Sequence, residues 1–236
     1  MNYENVVVRF RFDRELSSDF IQQLLDYCFD IGCTTHEGEN RNQCWYVGAA
    51  TDYDYTEVDT SVAIDAIVEH RAGAITLWYG EWGFLFGIYS SDDTDEWRPD
   101  EFSISVDPVY FNPDCDSASR TDVGSHVEEL VELTTLLSEF ANPKVVVGSE
   151  SSTGETISDF TIAESKSCGV PGYIEWLTVF SPEAVRSIGK QRLLSVPAWM
   201  VESFTDGSVL LVLTDNPLRR AEIETANETV RDHLRQ

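Results

Sequence analysis

The chain has 236 residues, 42% of them apolar and 11% aromatic, enough to bury a sizeable core and too apolar for a disordered polymer. Against 16 basic residues stand 42 acidic ones, a formal net charge of −26, which excludes the basic footprint that direct DNA or RNA binding requires. No apolar run is long enough to span a membrane, and five cysteines without a regular framework point to a reducing compartment.

In the opening MNYENVVVRFRF, Val6, Val8, Phe10 and Phe12 alternate with Val7, Arg9 and Arg11. This reads as a half-buried strand and not as the apolar centre of a secretory leader, so a cytoplasmic location is expected. Ser17 or Ser18 then caps a helix with Phe20, Ile21, Leu24, Leu25, Cys28 and Ile31 on one face, ended by Gly32. Cys44 to Val47 reads as a short strand, and Asp59 as the cap of a second helix through Val62, Ile64, Ile67 and Val68. Ile75 to Tyr79 and Trp82 to Tyr89 are aromatic-rich strands, joined by Gly80-Glu81 in the pattern of a two-residue II′ turn. SDDTDEWRPD is a polar loop, and Phe102 to Val106 alternates as a further strand.

FNPDCDSASR has the composition of a linker or loop. Val123, Val127, Leu130, Val131, Leu137 and Phe140 mark a helix that stops at Asn142-Pro143. Lys144 to Val147 reads as a strand, residues 148–170 as mostly loop, and Tyr173 to Phe180 as a strand. Ser181-Pro182-Glu183 opens a helix with an N-cap, a proline at its first position and an early acid, and Gly189 stops it. Trp199 to Phe204 and Ser208 to Leu213 form a hairpin across Asp206-Gly207, and Asn216-Pro217 begins a last helix with Ile223, Val230 and Leu234 inward. The pattern predicts an α+β fold, a largely antiparallel sheet with hairpins flanked by about five helices. It predicts one domain over residues 1–236, with 1–112 and 121–236 as alternative sub-domains.

Motifs for chemistry are sparse. Cys28, Cys33, His36 and Cys44 are ligand-type residues, but their spacing lacks the close cysteine pairs of a structural zinc site, so no metal is expected. Cys168 in KSCGVPG is a candidate nucleophile, yet none of His36, His70, His126 and His233 stands in a catalytic motif. There is no Walker loop, G-x-G-x-x-G, G-x-S-x-G or H-E-x-x-H, and no cofactor is expected. The aromatics remain. Trp78 and Trp82 sit in one crowded hairpin whose strands face two ways, and Trp97 stands beside Arg98 in an acidic loop with no periodic apolar neighbours. Trp and Arg dominate binding hot spots, so Trp97, Arg98, Trp78 and Trp82 are the candidate binding residues.

The segment GYIEWLTVF-SPEAVRSIG, then VPAW, then DGSVLLVLTDNP, within Gly172 to Pro217, resembles the C-terminal part of immunity proteins of polymorphic toxin systems. It looks most like immunity protein family 52 and its relatives: a Trp-bearing strand, a short helix ending in Ile-Gly, then a hairpin before a proline. The resemblance implies a cytoplasmic α+β protein that binds and blocks a toxin, and it carries over no catalytic residue; a non-enzymatic binding protein is the leading expectation. The readings kept beside it are a hydrolase-type enzyme using carboxylates or Cys168, and an acidic DNA mimic that occupies nucleic-acid-binding proteins.

The acidic residues are spread along the whole chain, with no acidic tail. Self-repulsion of this size destabilises a compact state unless salt screens it, and at molar salt the screening length is about 3 Å. The composition therefore predicts adaptation to a high-salt cytoplasm, where a mimic would concentrate its charge on one face. The melting temperature is expected to rise strongly between low and molar KCl. A thermal series that stays flat across that range removes the salt-adapted reading.

Overall fold

The computed structural model describes residues 4–35, 43–48, 56–90, 100–114, 120–150 and 172–236. The strands are β1 Val6–Arg11, β2 Gln43–Gly48, β3 Thr56–Asp59, β4 Ala72–Tyr79, β5 Trp82–Tyr89, β6 Glu101–Val106, β7 Val145–Glu150, β8 Leu177–Phe180, β9 Met200–Ser203 and β10 Val209–Val212. The helices are α1 Ser18–Asp30, α2 Thr60–His70, α3 Arg120–Ala141, α4 Pro182–Ile188, α5 Lys190–Leu194 and α6 Arg220–Leu234, with a 3₁₀ turn at Pro108–Phe111. All ten strands join one antiparallel sheet in the order β3-β2-β4-β5-β6-β1-β7-β8-β10-β9. This is the α+β fold expected from the sequence.

Register decides what each face carries. Phe10 lies opposite Phe102 and Val146, and Val8 opposite Ile104 and Gly148. On the same face, Phe86 pairs with Ile104 and Ile75 with Phe86. These side chains are fully buried. Helix α1 is capped by Ser17, whose Oγ accepts the Phe20 amide at 3.2 Å, and it buries Ile21, Leu24, Leu25 and Cys28. Phe20 meets Phe12 edge-on at 5.8 Å, and Tyr27 stacks on Phe140 of α3 at 4.2 Å. Thus α1 and α3 lie side by side on this face. Helix α2 joins them with Ala63 and Ile67 inward.

Connection handedness explains the second layer. α1, α2 and α3 each link two parallel strands, β1 to β2, β3 to β4 and β6 to β7. Right-handed crossovers place all three helices on one face. The step from β8 to β9 also links parallel strands, and it moves across the sheet in the same direction as β6 to β7, but from a strand of opposite polarity. A right-handed crossover there puts α4 and α5 on the other face, over Thr178, Phe180, Val209 and Leu211, all fully buried. α6 follows α5 onto that face, where Arg192 Nη1 donates to Leu234 O at 3.2 Å.

Several local expectations change. Val62 is exposed, because α2 turns Thr60, Ala63 and Ile67 inward, and Asp59 caps it without a side-chain hydrogen bond. Residues 173–176 lie outside β8, and Trp176 instead donates its indole N–H to Thr214 O at 2.9 Å. Gly189 ends α4 at φ 104° but also begins α5, a helix the sequence pattern hides. Asn216 does not start α6. Its Oδ1 accepts the Leu218 amide and its Nδ2 donates to Phe111 O, a buried turn that ties the last helix to the 3₁₀ turn. β3 is too short to announce itself. Gly80 has φ 63° while Glu81 keeps a negative φ, as a II′ turn requires.

Phe102 is at the centre of the first layer, stacked on Phe10 at 4.2 Å and tilted against Phe86 at 5.4 Å. Phe102→Ala is expected to cost about 3–5 kcal/mol, read from the urea midpoint at fixed salt. A loss below about 1 kcal/mol would place the core elsewhere.

Candidate functional site

Two faces and six helices leave one region open. The second face is covered by α4, α5 and α6 over β8 to β10, but none of the described helices lies on it over β2, β4, β5, β6 and β1. The side chains that point there are Trp45, Val47, Thr76, Trp78, Leu85 and Tyr89, with Val7, Arg9, Arg11 and Glu101 toward the middle of the sheet. Trp45 is 45% exposed and Tyr89 46%.

Glycines shape this surface. On β5, Gly83 and Gly87 both face it, and each is roofed by an aromatic ring. A Cβ on Gly83 would meet the Trp78 ring at 3.1 Å, and one on Gly87 would meet Tyr89 at 3.0 Å and Ser103 Oγ at 3.1 Å. The rings therefore lie close over the strand instead of projecting from it. The missing side chains let a twisted sheet present a low aromatic platform. The far end of Trp78 is fixed through its backbone, which exchanges hydrogen bonds of 2.9 and 2.7 Å with Thr34 after α1.

Beside the platform lies a charged centre. Arg11 Nε donates to Glu101 Oε2 at 3.1 Å, and Arg9 Nε lies 3.9 Å from Glu101 Oε1. Arg9 Nη1 is buried without a hydrogen-bond partner among the described residues, and so is Ser149 Oγ on the neighbouring strand. Burial lowers the Arg9 pKa, an effect that Glu101 opposes. Glu175 approaches the same guanidinium from the segment before β8 and is only 7% exposed. Burial pushes its carboxyl up to about 7, and Arg9 pulls partly the other way. Asn227 of α6 donates to Ile174 O next door, so the second-layer helices form a wall at this edge of the open face.

The residues singled out in the sequence separate. Trp78 is on the open face. Trp82 is not: the hairpin register sets it opposite Tyr79 on the first face, where it is fully buried against Tyr79 and Phe84. Its expected role at a binding surface is therefore corrected to a core role. Trp97 and Arg98 lie outside the described residues, as do His36 and Cys168. Ser90 Oγ donates to Asp100 Oδ2 at 2.9 Å, and the same carboxylate accepts the Leu16 amide at 2.6 Å. Cys28, Cys33 and Cys44 are buried free thiols, and the Cys28 pKa is raised by its hydrogen bond with Cys33 and then by burial. Among the described residues no three His, Cys, Asp or Glu side chains converge as a metal set. Sequence reasoning missed Trp45, Arg9, Arg11, Glu101 and Glu175. The two arginines were legible as the alternate residues of the first strand, but their convergence with residues 101 and 175 depends on long-range pairing.

No protein-family model, curated protein or solved structure matches the chain. The likeness of residues 172–217 to immunity proteins rests on those residues alone. Among the described residues no helix is long and apolar enough to cross a membrane.

The position of Glu175 gives a pH signature. Its folded pKa of about 7 lies above the ordinary 4.5, so the folded state holds a proton that the unfolded state has released across that window. Its contribution to stability therefore falls as pH rises from about 4.5 to 7. Glu175→Gln is expected to be near neutral at pH 5 and stabilising at pH 8, by about 1–3 kcal/mol after allowance for partial solvent access. Comparing the two chains cancels the other carboxylates. An equal effect at both pH values refutes the assignment.

Proposed function

We propose that this chain is a non-enzymatic binding protein of a high-salt cytoplasm, which recognises a protein partner through the open face of its sheet. The observation that carries this reading is the aromatic platform of Trp45, Trp78 and Tyr89, uncovered by any described helix in a chain of net charge −26. Exposed apolar surface of this kind marks interaction sites, and Trp, Tyr and Arg are the residues that anchor them. The run 40–51, which contains Trp45, and the run 70–80, which contains Trp78, hold no Asp or Glu. Exposed Glu57 of β3 lies directly opposite Trp45, so the rings on this face stand beside acidic side chains. Trp97 and Arg98 remain candidates by residue type alone. The likeness of residues 172–217 to immunity proteins makes a toxin the expected partner. On that reading the second layer is scaffold, and blocking is steric.

A carboxylate enzyme is the second reading, and Glu175 is what favours it. A buried carboxyl beside an arginine, titrating near neutrality, has the properties of a general acid. The DNA-mimic reading is less well supported, because exposed acids occur on α1 and α3 of the first layer and on α6 of the second, such as Asp26, Glu132 and Glu228.

The test uses the immobilised full chain in molar KCl against extract of the cells that make it. The wild type is expected to retain one protein stoichiometrically. Trp45→Ala with Tyr89→Ala should lose it at unchanged melting temperature, each truncation weakening binding by about 2 kcal/mol or more. Equal retention by both chains would remove this face from the interface. Retention of no protein, together with hydrolytic turnover abolished by Glu175→Gln, would favour the enzyme.

A further inference from the structure

At the opposite end of the sheet from Trp45, the chemistry of the surface reverses. The longest run in the chain without Asp or Glu is 184–201, AVRSIGKQRLLSVPAWMV, and the next longest is 40–51. Most acid-free runs in this protein are buried strands, but here Arg186, Lys190, Arg192, Leu194, Pro197 and Trp199 are all exposed. Leu194 is 37% exposed and Trp199 40%. The end of α6 joins this corner. His233 Nε2 lies 3.0 Å from Ser195 Oγ, and Arg192 reaches the Leu234 carbonyl at 3.2 Å. The cations of the corner are Arg186, Lys190 and Arg192, in a chain with only 16 lysines and arginines, while Arg235 at the end of α6 is paired with Asp232 at 3.3 Å. Next to them runs β9, the last strand of the sheet, paired with β10 on one side and with no described strand on the other.

Three features coincide: an open strand edge, exposed apolar side chains, and local positive charge on an otherwise acidic molecule. An open edge offers backbone groups to an added strand. Leu194 and Trp199 offer apolar area, which high salt favours burying. The charge selects the occupant. A second copy joined edge to edge about a two-fold would bring this basic corner against itself. Nucleic acid would meet a net charge of −26 around a handful of cations. An extended acidic segment of another protein satisfies all three features.

We propose that the β9 edge, with Arg186, Lys190, Leu194 and Trp199, is a second docking site, which takes an acidic, β-forming segment of a partner protein as an added strand. The site is separate from the open aromatic face, and its test does not depend on that reading.

The probes are an alternating Val/Glu heptapeptide, its Val/Lys counterpart and a short DNA duplex, at the lowest KCl that keeps the chain folded. The Val/Glu peptide is expected to bind and to slow amide exchange at Met200–Ser203. Arg186→Glu with Lys190→Glu should weaken it at least tenfold at unchanged melting temperature, and Trp199→Ala should weaken it while leaving exchange of the free chain as it was. Four results would overturn the proposal: equal binding of the Val/Lys peptide, unchanged exchange at β9, displacement of the peptide by DNA, or light scattering that finds a dimer whose β9 is protected without peptide.

Discussion

Everything in this sheet hangs on the double pairing of β1. Its residues are hydrogen-bonded to β6 on one side and β7 on the other, so one short strand joins the six-strand block from β3 to β1 to the block from β7 to β9. It is also the place where the two faces are assigned. Val6, Val8 and Phe10 commit one face to the apolar layer, which forces Val7, Arg9 and Arg11 onto the other. A slip of one residue would send both arginines into the phenylalanine stack. The salt links to Glu101 are therefore as much a statement of register as of stability.

From that strand the two-layer architecture follows by handedness. Crossovers on the two polarities place α1 to α3 on one side and α4 and α5 on the other, so the block from β7 to β10 is buried on both faces and the block from β2 to β1 on one. The open face is the remainder. A fold whose sheet is wider than either helical layer must either cap the surplus with a partner or build it to tolerate water, and the rings lying over Gly83 and Gly87 do something of both. They shield backbone that lacks its own side chains, and they keep apolar area presented.

The sequence made the elements legible wherever local chemistry decides them. Ser17 and Ser181 announced their helices, Gly80-Glu81 its hairpin, and alternation in residues 6–12 a strand with one buried face. It could not say which strands pair across long separations. The charged centre escaped for that reason: Arg11 and Glu101 are 90 residues apart. Trp82 escaped for a subtler one. Alternation states that Trp82 and Gly83 face opposite ways but not which way is inward, and only the neighbours across β4 and β6 settle it. Short pieces such as β3 and α5 carry too few residues for any period to emerge.

The central position of β1 has a temporal consequence. It is translated before either of its neighbours, and β6 follows only some 90 residues later. At ordinary elongation rates of about 5–20 residues per second, the strand waits on the order of 5–20 s with both edges bare. A run of Val and Phe in that condition is prone to pair with other chains. Arg9 and Arg11, on alternate positions, give such misplaced strands like charges to stack. The two cations that later sit under the open face thus serve first as guards of a nascent chain, in a protein that has few cations to spare.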